Sequence, residues 1–240
     1  MCKNDLRIFY KYYDQIYLKR KDYENESQTI RQIIKQFEKK PSKTLLDIGC
    51  GTGEHLKYLS QSLKCKGLDI SEEMIKKAKA KVADAEFETA NMIDFSLDER
   101  FDVIICLFGS IGYVQTFRNL VRTFKNFLNH QNNEGLTIIA PWVFRKDFRK
   151  GAFSIDTYED DETKLVRMGT SKLTRSHWLV YFHYLIGKDE SIKYSSEVHK
   201  MLAADYEDYI NAFSLAGYSE TEFLKEDEGA MRRGLFVAIK

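Results

Sequence analysis

The stretch TLLDIGCGTGEHLKYL, Thr44 to Leu59, constrains the fold of this chain more than any other. Apolar strand residues run directly into glycines at 49, 51 and 53, and a helical segment follows at once. Glycine reaches positive φ without steric cost and lets a ligand lie against bare backbone. A strand, a glycine turn and a helix in succession therefore predict a ligand crevice at the carboxyl end of a strand in an α/β sheet.

The flanking sequence repeats the same alternation. Ile30, Ile33, Ile34 and Phe37 mark an amphipathic helix over 22–39. After TLLDI come a helix over 54–62, the strand CKGLDI, and a helix opened by Ser71 with Glu72 and Glu73 in its first turn. AEFETA, the continuous apolar run FDVIICLF, a helix over 115–129 and GLTIIAPW follow. Unbroken apolar strands are those of a buried parallel sheet, so the expected fold class is α/β, doubly wound and mostly parallel. The pattern changes after Trp142. Between 153 and 202, segments such as KLVRMGTSKL and WLVYFHYLI alternate apolar and polar residues, with GKDES as a turn. Residues 1–142 thus read as a helical cap plus cofactor-binding core. Residues 143–202 read as an inserted antiparallel sheet for acceptor or dimer contacts, and 203–240 as the return to the core.

Charge excludes some partners. Lys plus Arg number 37 against 36 Asp plus Glu, a formal net charge of +1, which offers no field for nucleic acid or an anionic membrane. Cys2, Cys50, Cys65 and Cys106 form no CxxC pair and are expected as free thiols in a cytoplasmic protein. The N-terminal residues contain no apolar signal core, and no later run is long enough to span a membrane.

The acids around the turn choose the ligand. Asp69 ends the strand after the turn, where ribose hydroxyls are bound, and Asp47 sits at the tip of the first strand. A dinucleotide fingerprint needs its third glycine one residue later, and Asp47 would repel a pyrophosphate. An ammonium or sulfonium gains from the same charge. S-adenosylmethionine is therefore expected over NAD; a nucleotide-binding oxidoreductase, or a binding module without turnover, is the competing reading.

LLDIGCGTGEHL, GLDIS, ANMIDF and FDVIICLF stand in the order of the class I S-adenosylmethionine-dependent methyltransferases, which the chain resembles. YYDQIYLKRKDY, LFGSIGYV, PWVF, SSEVH, AFSLAGY and RGLFV are similar to the N,N-dimethyltransferases of TDP-linked 3-amino sugars, from about Tyr12 to the C-terminus. The resemblance implies a seven-stranded Rossmann-like sheet and N-methylation of an amine on a small polar acceptor; O- or N-methylation of another small molecule is the alternative. It implies that Gly49, Gly51 and Gly53 cradle methionine and ribose, with Asp47 near the amino group. Asp69, with Ile70 beside it, binds ribose. Asn91 and Met92 flank adenine, Asn91 standing where the family usually has Asp and offering its carbonyl to the exocyclic amine. Leu107 faces the sulfonium through its carbonyl, and Tyr13, Tyr17 and Tyr23 close over the cofactor. Tyr13 and Tyr113 are the candidate catalytic residues. Trp142, His183, Glu197, His199 and Arg233 are the candidate acceptor residues, Arg233 as a diphosphate contact. No metal is called for, and a homodimer through the inserted sheet is an expectation. Tyr10 and Tyr12 read as the packed face of a short helix. His130 and Lys19–Lys21 read as solvated surface. Family-like EPWWFPE is replaced by Ala140 to Lys146, so Arg145 and Lys146 are expected to strengthen the anion site.

Overall fold

A computed structural model describes residues 7–225 and 233–240. The chain opens with three helices, α1 (Arg7–Lys11), α2 (Tyr13–Tyr17) and α3 (Tyr23–Phe37). β1 (Thr44–Ile48), α4 (Glu54–Leu59), β2 (Lys64–Asp69), α5 (Glu72–Lys81), β3 (Ala85–Thr89) and β4 (Phe101–Cys106) follow. A 3-10 turn (Ser110–Val114) leads to α6 (Phe117–Asn129) and β5 (Gln131–Ile139). The insertion contributes β6 (Phe153–Glu159), β7 (Lys164–Leu173), β8 (His177–Lys188) and β9 (Ser191–Leu202). The core resumes with α7 (Tyr206–Ala216), β10 (Glu220–Leu224) and β11 (Leu235–Ile239).

Seven strands form one sheet in the order β10-β11-β5-β4-β1-β2-β3, parallel except for β11, which runs antiparallel to β5 and β10. The order reverses between β1 and β4, which are paired neighbours, and an open α/β sheet presents its ligand crevice at that switch point. One face packs against α6 and α7, where Phe124 and Phe213 stack with ring centroids 4.0 Å apart. The other face packs under α3, α4 and α5, with Ile30, Ile33 and Ile34 buried as their spacing predicts. Ser71 caps α5 by accepting from the Met74 amide, so the predicted start of that helix is the observed one.

Element ends differ more than element types. The helix expected over 115–129 starts at Phe117, because the Thr116 side chain caps α6 by accepting from the Asn119 amide. β5 starts four residues earlier than GLTIIAPW suggests. Polar Gln131 already pairs with Phe101, and the register shift before Val103 accommodates the turn-like residues between.

The second sheet has the order β6-β7-β8-β9 and is wholly antiparallel. Its inner face packs Leu165, Tyr184 and Ile186 against Tyr12 and Ile16 of the N-terminal segment. That segment therefore lies between the two sheets, above the crevice. Among the described residues no helix is long and apolar enough to cross a membrane. Cys50, Cys65 and Cys106 are buried free thiols; Cys2 lies outside the described residues.

Candidate active site

The glycine turn is tied to the strand beside it. The Gly49 and Cys50 amides donate to the Leu68 carbonyl at 2.7 and 3.0 Å, and the Gly51 amide donates to Asp69 Oδ2 at 2.9 Å. Asp69 Oδ1 accepts from the Ser71 amide at 2.9 Å, so one carboxylate fixes both the turn and the next helix start. Burial raises the Asp69 pKa despite these amides. The glycines have different jobs. Gly51 has φ +56°, and a Cβ added there meets nothing within 4 Å because it would enter the cavity. A Cβ on Gly53 would instead meet Phe87 at 3.2 Å and Ala78 at 3.3 Å. Gly53 starts α4 and packs it on the sheet; it does not line the cavity, contrary to the expected cradle of three.

The cavity holds about 660 Å³ and runs from the glycine turn to the inserted sheet. Gly49, Gly51, Asp69, Ile70, Asn91 and Met92 line one end, and Trp142, His199 and Arg233 the other. Asn91 Oδ1 accepts from the Ile93 amide at 3.1 Å, so the carbonyl expected to face a ligand is already engaged once. Tyr13 and Tyr17 form part of the roof, together with Phe9 and Tyr10. Tyr12 alone follows the packing role expected for it and Tyr10 together.

A recess beside the glycine turn holds Asp47, Tyr13, Tyr23 and Leu107. Asp47 Oδ2 is buried with no hydrogen-bond partner among the described residues, and burial together with the neighbouring Asp69 pushes the carboxyl up to about 8. Burial, with Tyr23 and Tyr17 nearby, holds the Tyr13 phenol well above its ordinary pKa. The Leu107 carbonyl closes a tight turn by accepting from the Ser110 amide at 3.1 Å. In that turn Phe108 holds φ +55°, an uncommon value for a bulky residue, and it lies in both the cavity and the recess. Lys21 sits over the Phe108 ring at 3.7 Å and pairs with Glu26 at 2.8 Å; His55 Nε2 meets the same carboxylate at 2.7 Å. Lys21 is thus half-buried with its side chain only 9% exposed, against the solvated reading, because an acid and two aromatic rings enclose it. Burial lowers the pKa of both Lys21 and His55.

The acceptor end needs more revision. Tyr113 Oη lies 2.6 Å from His199 Nδ1, and burial with nearby Tyr17 holds the phenol well above its ordinary pKa. Trp142 lies beneath the Arg233 guanidinium, 4.9 Å from ring centroid to Cζ. Glu197 does not line the cavity. Its Oε1 accepts from the Ile8 and Phe9 amides at 2.9 and 3.0 Å, and its Oε2 accepts from the Tyr184 hydroxyl at 3.1 Å. His183 is excluded from the site. In the β8–β9 register Phe182 is opposite Glu197 and His183 opposite Ser196, so strand parity turns His183 to the outer face, where it bonds Tyr194. Arg145 is spent on the carbonyls of Thr174, Arg175 and Ala203 and joins no anion site. His130 is buried, its Nε2 accepting from the Leu97 amide at 3.0 Å.

Arg167 went unnoticed in the sequence. It lines the cavity from β7, donates to Asp156 at 2.7 and 2.9 Å and to the Tyr17 hydroxyl at 3.1 Å, and Arg20 joins the same carboxylate. The signal was present as parity: Leu165, Arg167 and Gly169 share the buried face of β7. An arginine there needs a partner carboxylate.

The reversed strand order, the glycine turn and the paired acids Asp47 and Asp69 define a class I S-adenosylmethionine-dependent methyltransferase. A family model described as a methyltransferase domain matches residues 45–135. A dTDP-3-amino-3,6-dideoxy-alpha-D-glucopyranose N,N-dimethyltransferase of Streptomyces fradiae is 32% identical, over 92% of this chain and 86% of that one. A dTDP-3-amino-3,4,6-trideoxy-alpha-D-glucopyranose N,N-dimethyltransferase of Streptomyces venezuelae is 30% identical over 95% of each. The sugar N-methyltransferase KedS8 from Streptoalloteichus superposes with a TM-score of 0.87 at 31% identity, covering 95% of this chain and 92% of that structure. The chain belongs to the same family of S-adenosylmethionine-dependent methyltransferases as these enzymes, and the resemblance read from its motifs holds.

Proposed function

We propose that the chain N-methylates an amine on a nucleotide-linked amino sugar. The observation that carries this reading is the single cavity joining the glycine turn to a wall of inserted sheet with Arg233 at its edge, in a chain whose relatives are named for that chemistry. The residues present fit S-adenosylmethionine. Asp47 has a buried oxygen without a partner, and Gly51 opens onto free space. An amino acid's ammonium placed in the recess would meet the Asp47 carboxyl. When bound, S-adenosylmethionine supplies an electrophilic methyl group on a sulfonium. The chain's part is to hold a neutral amine in line and dry, which positioning does for several kcal/mol. Tyr10, Tyr13 and Tyr17 exclude water from above, and Arg233 holds the acceptor's anionic group.

Arg233→Ala is expected to raise the acceptor KM about tenfold or more, the order of one lost charged contact, while leaving the cofactor KM within about twofold. Steady-state kinetics decides this. No change in either constant, with uncharged amines accepted equally well, would remove the nucleotide-linked acceptor.

Asp47 gives a pH signature. Its folded pKa of about 8 lies above its ordinary 3.8, so the folded chain binds that proton more tightly than the unfolded chain. Its stabilising contribution is full below about pH 4 and is lost as pH rises toward 8. Asp47→Asn is expected to flatten the fall in Tm with rising pH across that window. Binding S-adenosylhomocysteine near pH 7 should release roughly one proton, since the ligand's ammonium favours the ionised carboxylate. Calorimetry in buffers of different ionisation enthalpy reads that release, and none would count against the contact.

Assembly follows from the second sheet. Its outer face exposes Ile155, Leu185, Ile192 and Tyr194, the last two by 78% and 63%. We extend the proposal to a homodimer across this face, in a cytoplasmic enzyme. Sedimentation should give a dimer for the native chain and a monomer for Ile192→Glu; a native monomer would contradict it.

A further inference from the structure

A line of polar side chains, Tyr113, His199 and Glu197, runs inward from the cavity to the N-terminal roof. Tyr113 faces the cavity with about a third of its surface exposed, and its Oη is 2.6 Å from His199 Nδ1. His199 is 3% exposed, and its ring is enclosed by Phe9 at 4.8 Å and Phe182 at 5.1 Å. Its other nitrogen, Nε2, is buried with no hydrogen-bond partner among the described residues and lies 3.8 Å from Glu197 Oε2. Glu197 holds the Ile8 and Phe9 amides with its other oxygen. Positioning an amine needs none of this machinery. A buried imidazole between a phenol and a carboxylate has the form of a proton acceptor with a counter-ion.

We propose that Tyr113, His199 and Glu197 form a relay that removes the proton of the acceptor amine. The inference rests on the amine acceptor proposed above. An amine arriving as ammonium has no lone pair for attack, and each methyl transfer to nitrogen leaves a new ammonium. Every transfer therefore releases one proton. In the relay an N–H bond of the ammonium breaks and its proton passes to Tyr113 Oη, while the Tyr113 hydroxyl proton passes to His199 Nδ1. The phenol is restored, the amine regains its lone pair, and His199 becomes an imidazolium facing Glu197. After the product has left, Tyr113 gives its hydroxyl proton to water in the cavity and takes back the proton from His199 Nδ1. Tyr113 touches the acceptor and His199 acts through it. The raised pKa of Tyr113 keeps the phenol neutral, so it can pass a proton without resting as phenolate. Glu197 keeps its amide partners throughout, which hold the counter-ion in place.

Several groups face this line and would colour its titration. They are Tyr10 and Tyr17 from the roof, Asp69 at the glycine turn, Tyr184 on β8, and Arg167 on β7.

The test compares the native chain, His199→Asn, Tyr113→Phe and the double variant from about pH 6 to pH 9.5. A dTDP-linked 3-amino sugar and saturating S-adenosylmethionine are the reactants. Asparagine can accept the Tyr113 hydrogen bond but cannot take a proton. His199→Asn is expected to lower kcat about 100-fold near pH 7 with the acceptor KM changed by less than about threefold. The deficit should shrink as pH rises and the amine loses its proton to water unaided. The double variant should be no worse than the poorer single one, as groups acting in series are not additive. A deficit equal at every pH, or none near pH 7, would overturn the relay. An independent readout is nitrogen NMR of ring-labelled histidine in the protein without ligands, His199→Asn assigning the signal. The relay requires the proton on Nε2 and an Nδ1 signal that shifts in Tyr113→Phe; a proton on Nδ1 would overturn it. If the native chain methylates no nucleotide-linked amine, the functional reading fails instead, and the NMR arm still decides the geometry.

Discussion

Gly51→Val is expected to give a folded chain that binds S-adenosylhomocysteine at least about 100-fold more weakly than the native one, a loss of roughly 2.7 kcal/mol. The free chain has room for the new side chain, since among the described residues nothing lies within 4 Å of an added Cβ. Its backbone conformation, φ +56°, strains a branched residue by about 1–3 kcal/mol, so some stability goes as well. The ligand loses more, because the valine occupies space that the cavity keeps open. Gly53, two residues on, serves as the control. Gly53→Ala drives a Cβ against Phe87 and Ala78, inside the protein, and should cost stability with less effect on affinity. Calorimetric titration and thermal melts of both variants separate the two losses. Native affinity in Gly51→Val would mean that the adenosyl ligand lies elsewhere.

The second large effect is on folding. Phe213 is fully buried, stacks on Phe124, and meets the rings of Tyr218 and Phe236 at 5.2 and 6.0 Å. It joins α7 to α6 and both to the sheet. Phe213→Ala should cost about 3–5 kcal/mol through lost burial and the cavity left behind. That is a large share of the 5–15 kcal/mol typical of a whole domain. Urea unfolding measures it, and a loss below about 1 kcal/mol would show that the α6–α7 seam does not carry this face of the core.

These residues also show what the sequence made legible. FDVIICLF and TLLDI read correctly because a strand buried on both faces must be apolar throughout, and the paired acids were legible because charge at a strand tip has few structural uses. The roof was not. Tyr10, Tyr13 and Tyr17 stand at i, i+3 and i+7, one face of a helix, but grouping Tyr10 with Tyr12 hid that face, and the chain also breaks at Tyr12, whose φ of −105° and ψ of 17° leave the helical run. Two short helices then bring Tyr10, Tyr13 and Tyr17 to one cavity while Tyr12 turns to the inserted sheet. His183 was misplaced because parity across a hairpin depends on register, which no local pattern fixes. Lys21 looked like part of a solvated basic run because its partners, Glu26 and Phe108, come from different parts of the chain. Arg167 was legible only to a reader who had already set the inward face of β7.

The most direct test of the central claim is an acceptor assay read by mass spectrometry. The purified chain is incubated with S-adenosylmethionine labelled in its methyl group. A dTDP-linked 3-amino sugar is offered beside the free amino sugar, its hydroxyl analogue and a simple alkylamine. The expected result is label on the nitrogen of the nucleotide-linked sugar, in step with S-adenosylhomocysteine, with the other compounds slow or unreacted. Label appearing equally on the free sugar and the alkylamine, or on the hydroxyl analogue and not the amine, would contradict the proposed function.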